Sequence, residues 1–385
     1  MEGGSHMKFK ACLLVLCMML LLIAPGCNRV NQLNERLIVN GIGVDIEDGA
    51  YVVTTHVFDP EKASAGGEQK QDVVVATGRG RSVLDAFHSI ILQSGKEPLY
   101  SQNLVLIVGE EVAKQGMNNV IDFFIRYYES RPSVALFVAR GMSAREIMNS
   151  KNEGDLITAK VIENLATSGQ IATEESRSNI LSLVNRMQDG SSDGYMIALN
   201  MYEDSDGNAI LYADGVGVLK GDKLAGYLTF EETIGFLLLT GDAENAIIVV
   251  PVEGVGNVSF SLTKADTTIE AKVENDLPVY DISIHAQLDL YEIDGNLHQR
   301  YNLEVVDEME KSTEKAIYDL CTQTAEKVIR EYQSDIFRFG RRLMQAQPEY
   351  FKTKSDDWVS TYVQSTVRLS VEASIQREGK EINPL

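Results

Sequence analysis

The chain has 385 residues, of which 44% are hydrophobic and 24% are charged, a composition typical of folded proteins rather than disordered or fibrous ones. Its 56 acidic residues outnumber the 35 basic ones and give a formal net charge of -21, which repels phosphate backbones and argues against nucleic-acid binding. The four cysteines, two of which lie in one apolar run, do not predict a disulfide framework.

The N-terminal 27 residues predict a targeting segment rather than part of the folded body. Residues 1–6 (MEGGSH) are tag-like and are left out of the fold prediction, with Met7 as the natural start. Lys8 and Lys10 then precede Ala11–Ala24, an uninterrupted apolar run. At about 1.5 Å per residue this run reaches about 21 Å, which is short of a hydrocarbon core of about 30 Å. The length therefore indicates the apolar region of a signal peptide.

Cys27 follows this run directly after the small residue Gly26, in a pattern that resembles a bacterial lipobox. In a lipobox the cysteine thiol takes a diacylglycerol and the residue becomes the new N-terminus, so Cys27 is the predicted lipidation site. Two acyl chains, at about 0.8 kcal/mol per buried CH₂, anchor a protein to a bilayer without basic residues. An uncleaved anchor and an ordinary secretory signal are the alternatives that the sequence leaves open.

The first predicted unit, residues 28–190, alternates strands with helices. Asp48-Gly49 indicates a hairpin between the strands Leu37–Asp45 and Tyr51–Val57. Further strands are predicted at Asp72–Thr77, Leu104–Val108 and Val134–Ala139. Helices are predicted at Ser82–Gln93, Glu110–Tyr128, Ser143–Met148 and Asp155–Gln188, and the second of them has a break near Gly116. This alternation predicts a parallel core with right-handed crossovers.

A polar linker, residues 189–194 (DGSSDG), leads into the second predicted unit, a small middle α+β domain of residues 191–256. Its predicted elements are the strands Met196–Tyr202, Ile210–Lys220, Lys223–Thr229 and Ala246–Val252 and the short helix Glu231–Leu239. Gly215-Val216-Gly217 lies inside one of these strand patterns and predicts a bulge or a close backbone approach.

The third predicted unit, residues 257–385, packs one long helix on an antiparallel sheet. Val279–Tyr291 and Val367–Ile375 alternate apolar with polar residues, which is typical of half-buried strands. Apolar residues spaced three or four apart predict one amphipathic helix over Val305–Met344. The fold class expected for the whole chain is therefore mixed α+β with three domains.

The sequence carries no pattern for a catalytic, cofactor or metal site. Gly78-Arg79-Gly80 lacks the third glycine of a phosphate-binding loop, and a nucleophile elbow is missing. Asp204–Asn208 lacks the glycine and glutamate positions of a calcium loop and is interpreted as a turn. The histidines outside the tag-like segment have no metal-ligand spacing, and they are His56, His88, His285 and His298.

Two other residue types have structural explanations in the sequence. Cys321 stands at helical spacing among apolar residues and is expected in the core. Adjacent glutamates occur at predicted helix starts, where negative charge complements the helix dipole without any acid–base role. These pairs are Glu110-Glu111, Glu174-Glu175 and Glu231-Glu232.

Segments distributed along the whole chain resemble those of one known family. They are Cys27 at the end of the signal, Leu37–Asp45, Tyr51–Pro60, Leu99–Lys114, Val120–Arg140, Asp214–Leu228 followed by Glu231-Glu232-Thr233, and Ser334–Gly340. Their order and spacing are similar to those of the C subunit of bacterial spore germinant receptors, which is the lipoprotein component of nutrient receptors in endospore formers.

The resemblance implies a three-domain, non-enzymatic lipoprotein that Cys27 holds on the outer face of the spore inner membrane. It implies two integral-membrane partners, the A and B subunits, in a receptor that responds to small nutrients such as amino acids or sugars. The family has no catalytic, cofactor-binding or metal-binding residues to carry over. A solute-binding lipoprotein that captures a small nutrient itself is the alternative, and it needs a deep pocket lined by convergent polar groups. The missing nucleophile and metal patterns disfavour a third function, a lipid-anchored hydrolase.

Overall fold

The structure is a computed structural model that describes residues 36–58, 73–127, 131–152, 155–166, 178–188, 190–294 and 303–377. The predicted targeting segment and Cys27 lie outside the described residues, as do His298 and the Glu174-Glu175 pair. Within the described ranges the chain has a mixed α+β fold, as the sequence predicts.

The strands of the described ranges form a nine-stranded sheet, a four-stranded sheet and a short two-stranded ribbon. In chain order they are β1 (Arg36–Glu47), β2 (Ala50–Phe58), β3 (Val73–Gly80), β4 (Glu97–Leu99), β5 (Val105–Val108), β6 (Ala135–Ala139), β7 (Lys151–Asn152), β8 (Asp155–Leu156), β9 (Tyr195–Glu203), β10 (Ala209–Lys220), β11 (Lys223–Leu228), β12 (Ile247–Val252), β13 (Gly256–Glu274), β14 (Leu277–Asp294) and β15 (Thr366–Arg377).

Helices connect these strands and cover the sheets. In chain order they are α1 (Val83–Ser94), α2 (Glu110–Gln115), α3 (Asn118–Arg126), α4 (Ala144–Met148), α5 (Ala159–Leu165), α6 (Ile180–Met187), α7 (Phe230–Thr240), α8 (Leu303–Glu326), α9 (Phe339–Ala346), α10 (Pro348–Lys354) and α11 (Trp358–Tyr362). A π-helical segment, Lys327–Tyr332, continues α8, and 3₁₀ turns occur at Tyr100–Gln102 and Ser355–Asp357.

The large sheet has a parallel centre and antiparallel edges. Its strand order is β11-β10-β9-β6-β5-β1-β2-β3, and β4 pairs with the start of β1. The pairs β1–β5, β5–β6 and β6–β9 are parallel, which confirms the predicted parallel core. Every residue of β5 and β6 is buried, as is typical of strands with both sheet faces covered.

Two local predictions near the start of the chain are confirmed. Asp48 and Gly49 adopt φ angles of 50° and 75°, as the central residues of a type I′ hairpin turn do. Ser82 caps α1, because its side chain accepts a hydrogen bond from the Asp85 backbone N–H. The turn and the cap are both encoded by residues next to the feature that they form.

Gly215 lies at the bulge predicted in β10. The pairing of β10 with β9 shifts between Ala213 and Val216, and Gly215 has a φ of +78°. A Cβ atom added at Gly215 would lie 2.2 Å from the carbonyl oxygen of Leu228, in the neighbouring strand. Glycine is therefore required for both the backbone conformation and the close approach of the two strands.

Gly215→Ala is expected to lower the free energy of unfolding by about 3 kcal/mol, because overpacking adds to the cost of a positive φ. Gly207→Ala is the matched control, since Gly207 has a φ of +79° but a Cβ there would meet nothing within 4 Å. The control is expected to cost about 1 kcal/mol. Urea unfolding measures both losses, and equal losses would contradict the close-approach explanation.

The strands of the predicted middle unit belong to both large assemblies. β9, β10 and β11 extend the nine-stranded sheet, whereas β12 pairs with β13 in the four-stranded sheet. Sheet pairing therefore runs across residues 190 and 256, where the sequence places its boundaries. The division into residues 28–190, 191–256 and 257–385 stays a prediction about domains.

The four-stranded sheet has the order β12-β13-β14-β15 and is mixed. β13 and β14 form a long antiparallel hairpin, but β15 runs parallel to β14. The prediction of an antiparallel sheet is therefore wrong for the last strand. Parallel neighbours require a long crossover connection, and here the helices α8–α11 provide it.

The single helix predicted over Val305–Met344 is wrong in its second half. The α-helix ends at Glu326, the π-helical segment follows, and Gln333 then adopts a left-handed conformation with a φ of 51°. A new helix, α9, begins only at Phe339. The apolar spacing continues through the interruption because Ile336 and Phe337 are core residues without being helical.

Candidate functional site

Open α/β sheets bind ligands at the carboxyl ends of their parallel strands. Three segments of the resembled pattern meet there: Asp45 near the end of β1, Glu110 just after β5 and Arg140 just after β6. Asp214 of β10 and Tyr227 of β11 complete this group, which we name the carboxyl-edge cluster.

Glu110 and Tyr227 are hydrogen-bonded in this cluster. The Tyr227 hydroxyl donates to a Glu110 carboxylate oxygen at 3.1 Å, and Glu110 also accepts the Gly141 N–H and pairs with Lys114. Burial works to raise the pKa of Glu110, but these partners outweigh it and the pKa is lowered. Burial and the nearby carboxylate raise the pKa of Tyr227 above its usual range. Glu110 is therefore an ionised acceptor and Tyr227 a neutral donor.

The remaining members of the cluster are also paired within the protein. Arg140 lies 3.0 Å from an Asp214 carboxylate oxygen and 4.8 Å from the centre of the Tyr227 ring. The Asp45 carboxylate accepts the backbone N–H groups of Ala144 and Arg145 at the start of α4, at 2.8 and 2.9 Å. These contacts tie β1, β6, β10 and β11 together, so the cluster has a structural explanation.

A second polar cluster joins the large sheet to the segment before α9. The Asp335 N–H donates to an Asp193 carboxylate oxygen at 2.8 Å, and the other oxygen accepts the Gly221 N–H at 2.7 Å. The Asp335 carboxylate accepts the N–H groups of Phe339 and Gly340, the first two residues of α9, at 2.9 and 2.6 Å. We name these five residues the junction.

Sequence reasoning missed the junction. Asp193 lies in the polar stretch interpreted as a linker, and Asp335 lies in Ser334–Gly340, a segment that served only to identify the family. The two aspartates are 142 positions apart in the chain. The available signal was an acidic residue four positions before Phe339, at the start of a helix.

The junction makes stability depend on pH. Burial raises the pKa of both carboxyls, that of Asp335 to about 7, although backbone N–H donors work in the opposite direction. An unfolded aspartate has a pKa of about 3.9, so the folded protein holds more protons between about pH 4 and pH 7. A rising pH across this window therefore favours the unfolded state.

The expected result is a loss of stability from about pH 4 to pH 7 that is smaller in Asp335→Asn than in the wild type, because the amide does not titrate. Urea midpoints of both proteins, measured across this range, give the comparison. Parallel pH profiles would show that Asp335 keeps an ordinary pKa in the folded protein.

A groove of about 180 Å³ lies between the end of α8, the π-helical segment and the start of β15. Six polar side chains line this α8–β15 groove, and they are Tyr318, Thr322, Glu326, Arg330, Ser365 and Thr366. Apolar residues form the rest of its wall, among them Leu239, Ile329, Val367 and Leu369.

A second depression, of about 500 Å³, lies between the start of α1 and one side of α3. Two pairs of its polar side chains are bonded to each other, since Asn119 donates to the Tyr51 hydroxyl at 2.9 Å and Arg126 lies 2.6 Å from Asp122.

The cysteine, histidine and aspartate that the sequence analysis considered as possible site residues, Cys321, His56 and Asp204, have structural roles. Cys321 is fully buried, and burial raises the pKa of its thiol to about 12. His56 is also fully buried, with Nε2 2.7 Å from the Met148 carbonyl oxygen, and burial lowers its pKa. Asp204 closes the turn between β9 and β10, as its side chain accepts the N–H groups of Asp206 and Asn208.

Among the residues with described positions, no group of three or more His, Cys, Asp or Glu side chains could hold a metal ion. The helices of the same residues include none that is long and apolar enough to cross a membrane.

Comparison with known proteins shows the relatives of the chain. The family models "Spore germination protein N-terminal domain" and "Spore germination B3/ GerAC like, C-terminal" match residues 29–201 and 214–379. Spore germination protein B3 of Bacillus subtilis (strain 168) is 24% identical, with 94% of this chain and 96% of the relative covered. Spore germination protein YndF of the same organism is 20% identical over 97% and 98% of the two chains.

A solved structure shares the fold. The crystal structure of the GerBC protein matches with a TM-score of 0.60 at 21% identity, over 88% of this chain and 97% of that one. The two family models together cover most of the chain, in the order that the sequence resemblance implies. The chain therefore belongs to the GerAC-like family of spore germination proteins, the C subunits of spore germinant receptors.

Proposed function

We propose that the protein is a lipid-anchored, non-enzymatic subunit of a nutrient germinant receptor. Cys27 carries the lipid, and the folded body lies on the outer face of the spore inner membrane beside the integral-membrane A and B subunits. The observation that carries this proposal is one chain that matches both germination family models directly after a signal-like segment ending in Cys27.

Chain length supports a position close to the bilayer. Residues 28–35 separate Cys27 from the first residue of β1, Arg36. Eight residues span at most about 29 Å when fully extended. A lipid on Cys27 therefore keeps the Arg36 end of the large sheet near the membrane surface, which raises its effective concentration for membrane partners.

The roles of the buried polar groups support a non-enzymatic subunit. Asp45 and Asp335 accept backbone N–H groups at the starts of α4 and α9, which is a structural task. The thiol of Cys321 is buried with a raised pKa, so it is a poor nucleophile at neutral pH. Arg140 and Glu110 likewise hold strands together through Asp214 and Tyr227.

Spores that lack this protein test the receptor role. Deletion is expected to abolish the loss of refractility in response to at least one nutrient of a panel, and a wild-type copy is expected to restore it. Solubilised spore membranes are expected to yield two multi-span proteins together with a tagged copy. Normal germination of the deletion spores with every nutrient would overturn the proposal.

Direct capture of a small nutrient is a second candidate function. The α8–β15 groove favours it, because charged and hydroxyl side chains converge there on an apolar wall. This candidate makes the same subunit a ligand-binding part of the receptor, and it is tested by binding measurements rather than by germination.

A further inference from the structure

The α8–β15 groove contains a buried hydroxyl without a partner. Ser365 is only 1% exposed, and within the described part of the chain its Oγ makes no hydrogen bond. An unpaired buried hydroxyl costs free energy unless a ligand or water satisfies it. The groove therefore has a hydrogen-bonding requirement that the described side chains do not meet.

One positive and one negative side chain line the same groove. A guanidinium N–H of Arg330 donates a hydrogen bond to the Ser365 carbonyl oxygen, with a nitrogen–oxygen distance of 2.9 Å. This bond holds the Arg330 guanidinium next to Ser365. Glu326, one helical turn earlier, is exposed, and no ion pair joins it to a neighbour in the described ranges. The two opposite charges therefore flank the cavity and remain available to a ligand.

The edge of β15 adds backbone donors. β15 is the last strand of its sheet, and the N–H groups of Ala373 and Ile375 donate outward to Glu314 and Glu310 of α8. Alternate residues of a parallel strand turn their backbone groups to the same side, so the N–H of Val367 points to this outer edge as well. Near Val367 the groove lies along this outer edge of β15. Farther along the strand, Glu314 and Glu310 of α8 occupy the same edge.

We propose that the α8–β15 groove binds a single aliphatic α-amino acid as its zwitterion. Arg330, the Ser365 hydroxyl and the Val367 N–H receive the carboxylate, and Glu326 receives the ammonium group. The apolar wall of Leu239, Ile329 and Leu369 receives the side chain. This inference deepens the second candidate function, and it depends neither on the lipid anchor nor on the partner subunits.

The two charged side chains of the groove favour an amino acid over other small nutrients. A sugar carries no charge for Glu326 or Arg330, and a carboxylate or an amine alone satisfies only one of them. The groove has a volume of about 180 Å³, which limits the ligand to one small molecule.

Calorimetric titration of the full-length protein in detergent micelles tests the proposal. L-leucine and L-valine are the probes, with isovalerate, isobutylamine and glucose as comparison ligands. Saturable binding of at least one amino acid is expected, with isovalerate and isobutylamine bound at least about tenfold more weakly, because each lacks one charged contact. No saturable binding of either amino acid at millimolar concentration would overturn the proposal.

Substitutions locate the binding. Glu326→Gln and Arg330→Met are each expected to weaken amino-acid binding about tenfold or more. Glu331→Gln, at an exposed position that does not line the groove, is the matched control and is expected to bind as the wild type does. Unchanged melting temperatures without ligand confirm that the variants fold.

Equal affinity in the wild type and Glu326→Gln would place any binding elsewhere and overturn the assignment. The outcome is separate from that of the deletion experiment. If the protein supports germination but binds no amino acid, only the proposed binding site is contradicted. If it binds an amino acid but its deletion leaves germination normal, only the proposed receptor role is contradicted.

Discussion

Asp335→Ala is expected to lower the free energy of unfolding by about 4 kcal/mol. The substitution removes the acceptor for the N–H groups of Phe339 and Gly340, and each buried donor left unpaired costs about 1–3 kcal/mol. Urea unfolding at neutral pH measures the effect as a shift of the midpoint.

Asp356→Ala is the matched control for this prediction. Asp356 is an exposed aspartate in the short 3₁₀ turn after α10, and its loss is expected to change stability by no more than about 0.5 kcal/mol. Similar midpoints for Asp335→Ala and Asp356→Ala would show that the junction does not stabilise the fold. A loss of stability confined to Asp335→Ala would support the junction as the link between β10–β11 and α9.

Changing Cys27 is expected to move the protein from the membrane fraction to the soluble fraction. The lipid supplies the proposed anchor, at about 0.8 kcal/mol per buried CH₂. Ala11–Ala24 is itself apolar and stays attached if cleavage depends on the cysteine. Cys27→Ala is therefore combined with a secretory signal that is cleaved without a cysteine, and fractionation of spores followed by immunoblotting measures the change.

Cys321→Ala is the control for the thiol, because Cys321 lies in the core beside Gly235 and is expected to have no part in anchoring. Mass spectrometry of the wild-type N-terminal peptide is expected to show a diacylglycerol on Cys27. A free thiol there, or full membrane retention of the Cys27→Ala protein after signal cleavage, would contradict the proposed lipid anchor. Impaired nutrient germination is expected for the released protein.

Features that depend on neighbouring residues were predictable from the sequence, whereas the extent of the long helix was not. The apolar run before Cys27 and the Asp48-Gly49 hairpin are local patterns, and the structure confirms the hairpin. The prediction of one long helix is wrong beyond Glu326. Apolar spacing alone does not distinguish buried residues of a helix from buried residues of an irregular segment, such as Ile336 and Phe337.

The α8–β15 groove was also beyond reach of the sequence. Glu326 and Arg330 are neighbours on one helix, and their spacing is visible in the chain. Ser365 reaches them only because β15 joins the sheet beside β14 and packs near α8. A site made by elements that meet through strand pairing has no local signature.

By itself, the sequence determined the class of the fold, most strand and helix positions, the caps and turns, and the family. Each of these depends on residue spacing or on the conformations of neighbouring residues, which a linear chain records directly. Only the tertiary structure decided the parallel placement of β15, the membership of β9–β11 in the large sheet and the pairing of Asp193 with Asp335. These choices follow from which distant surfaces bury each other, and that competition involves the whole chain at once.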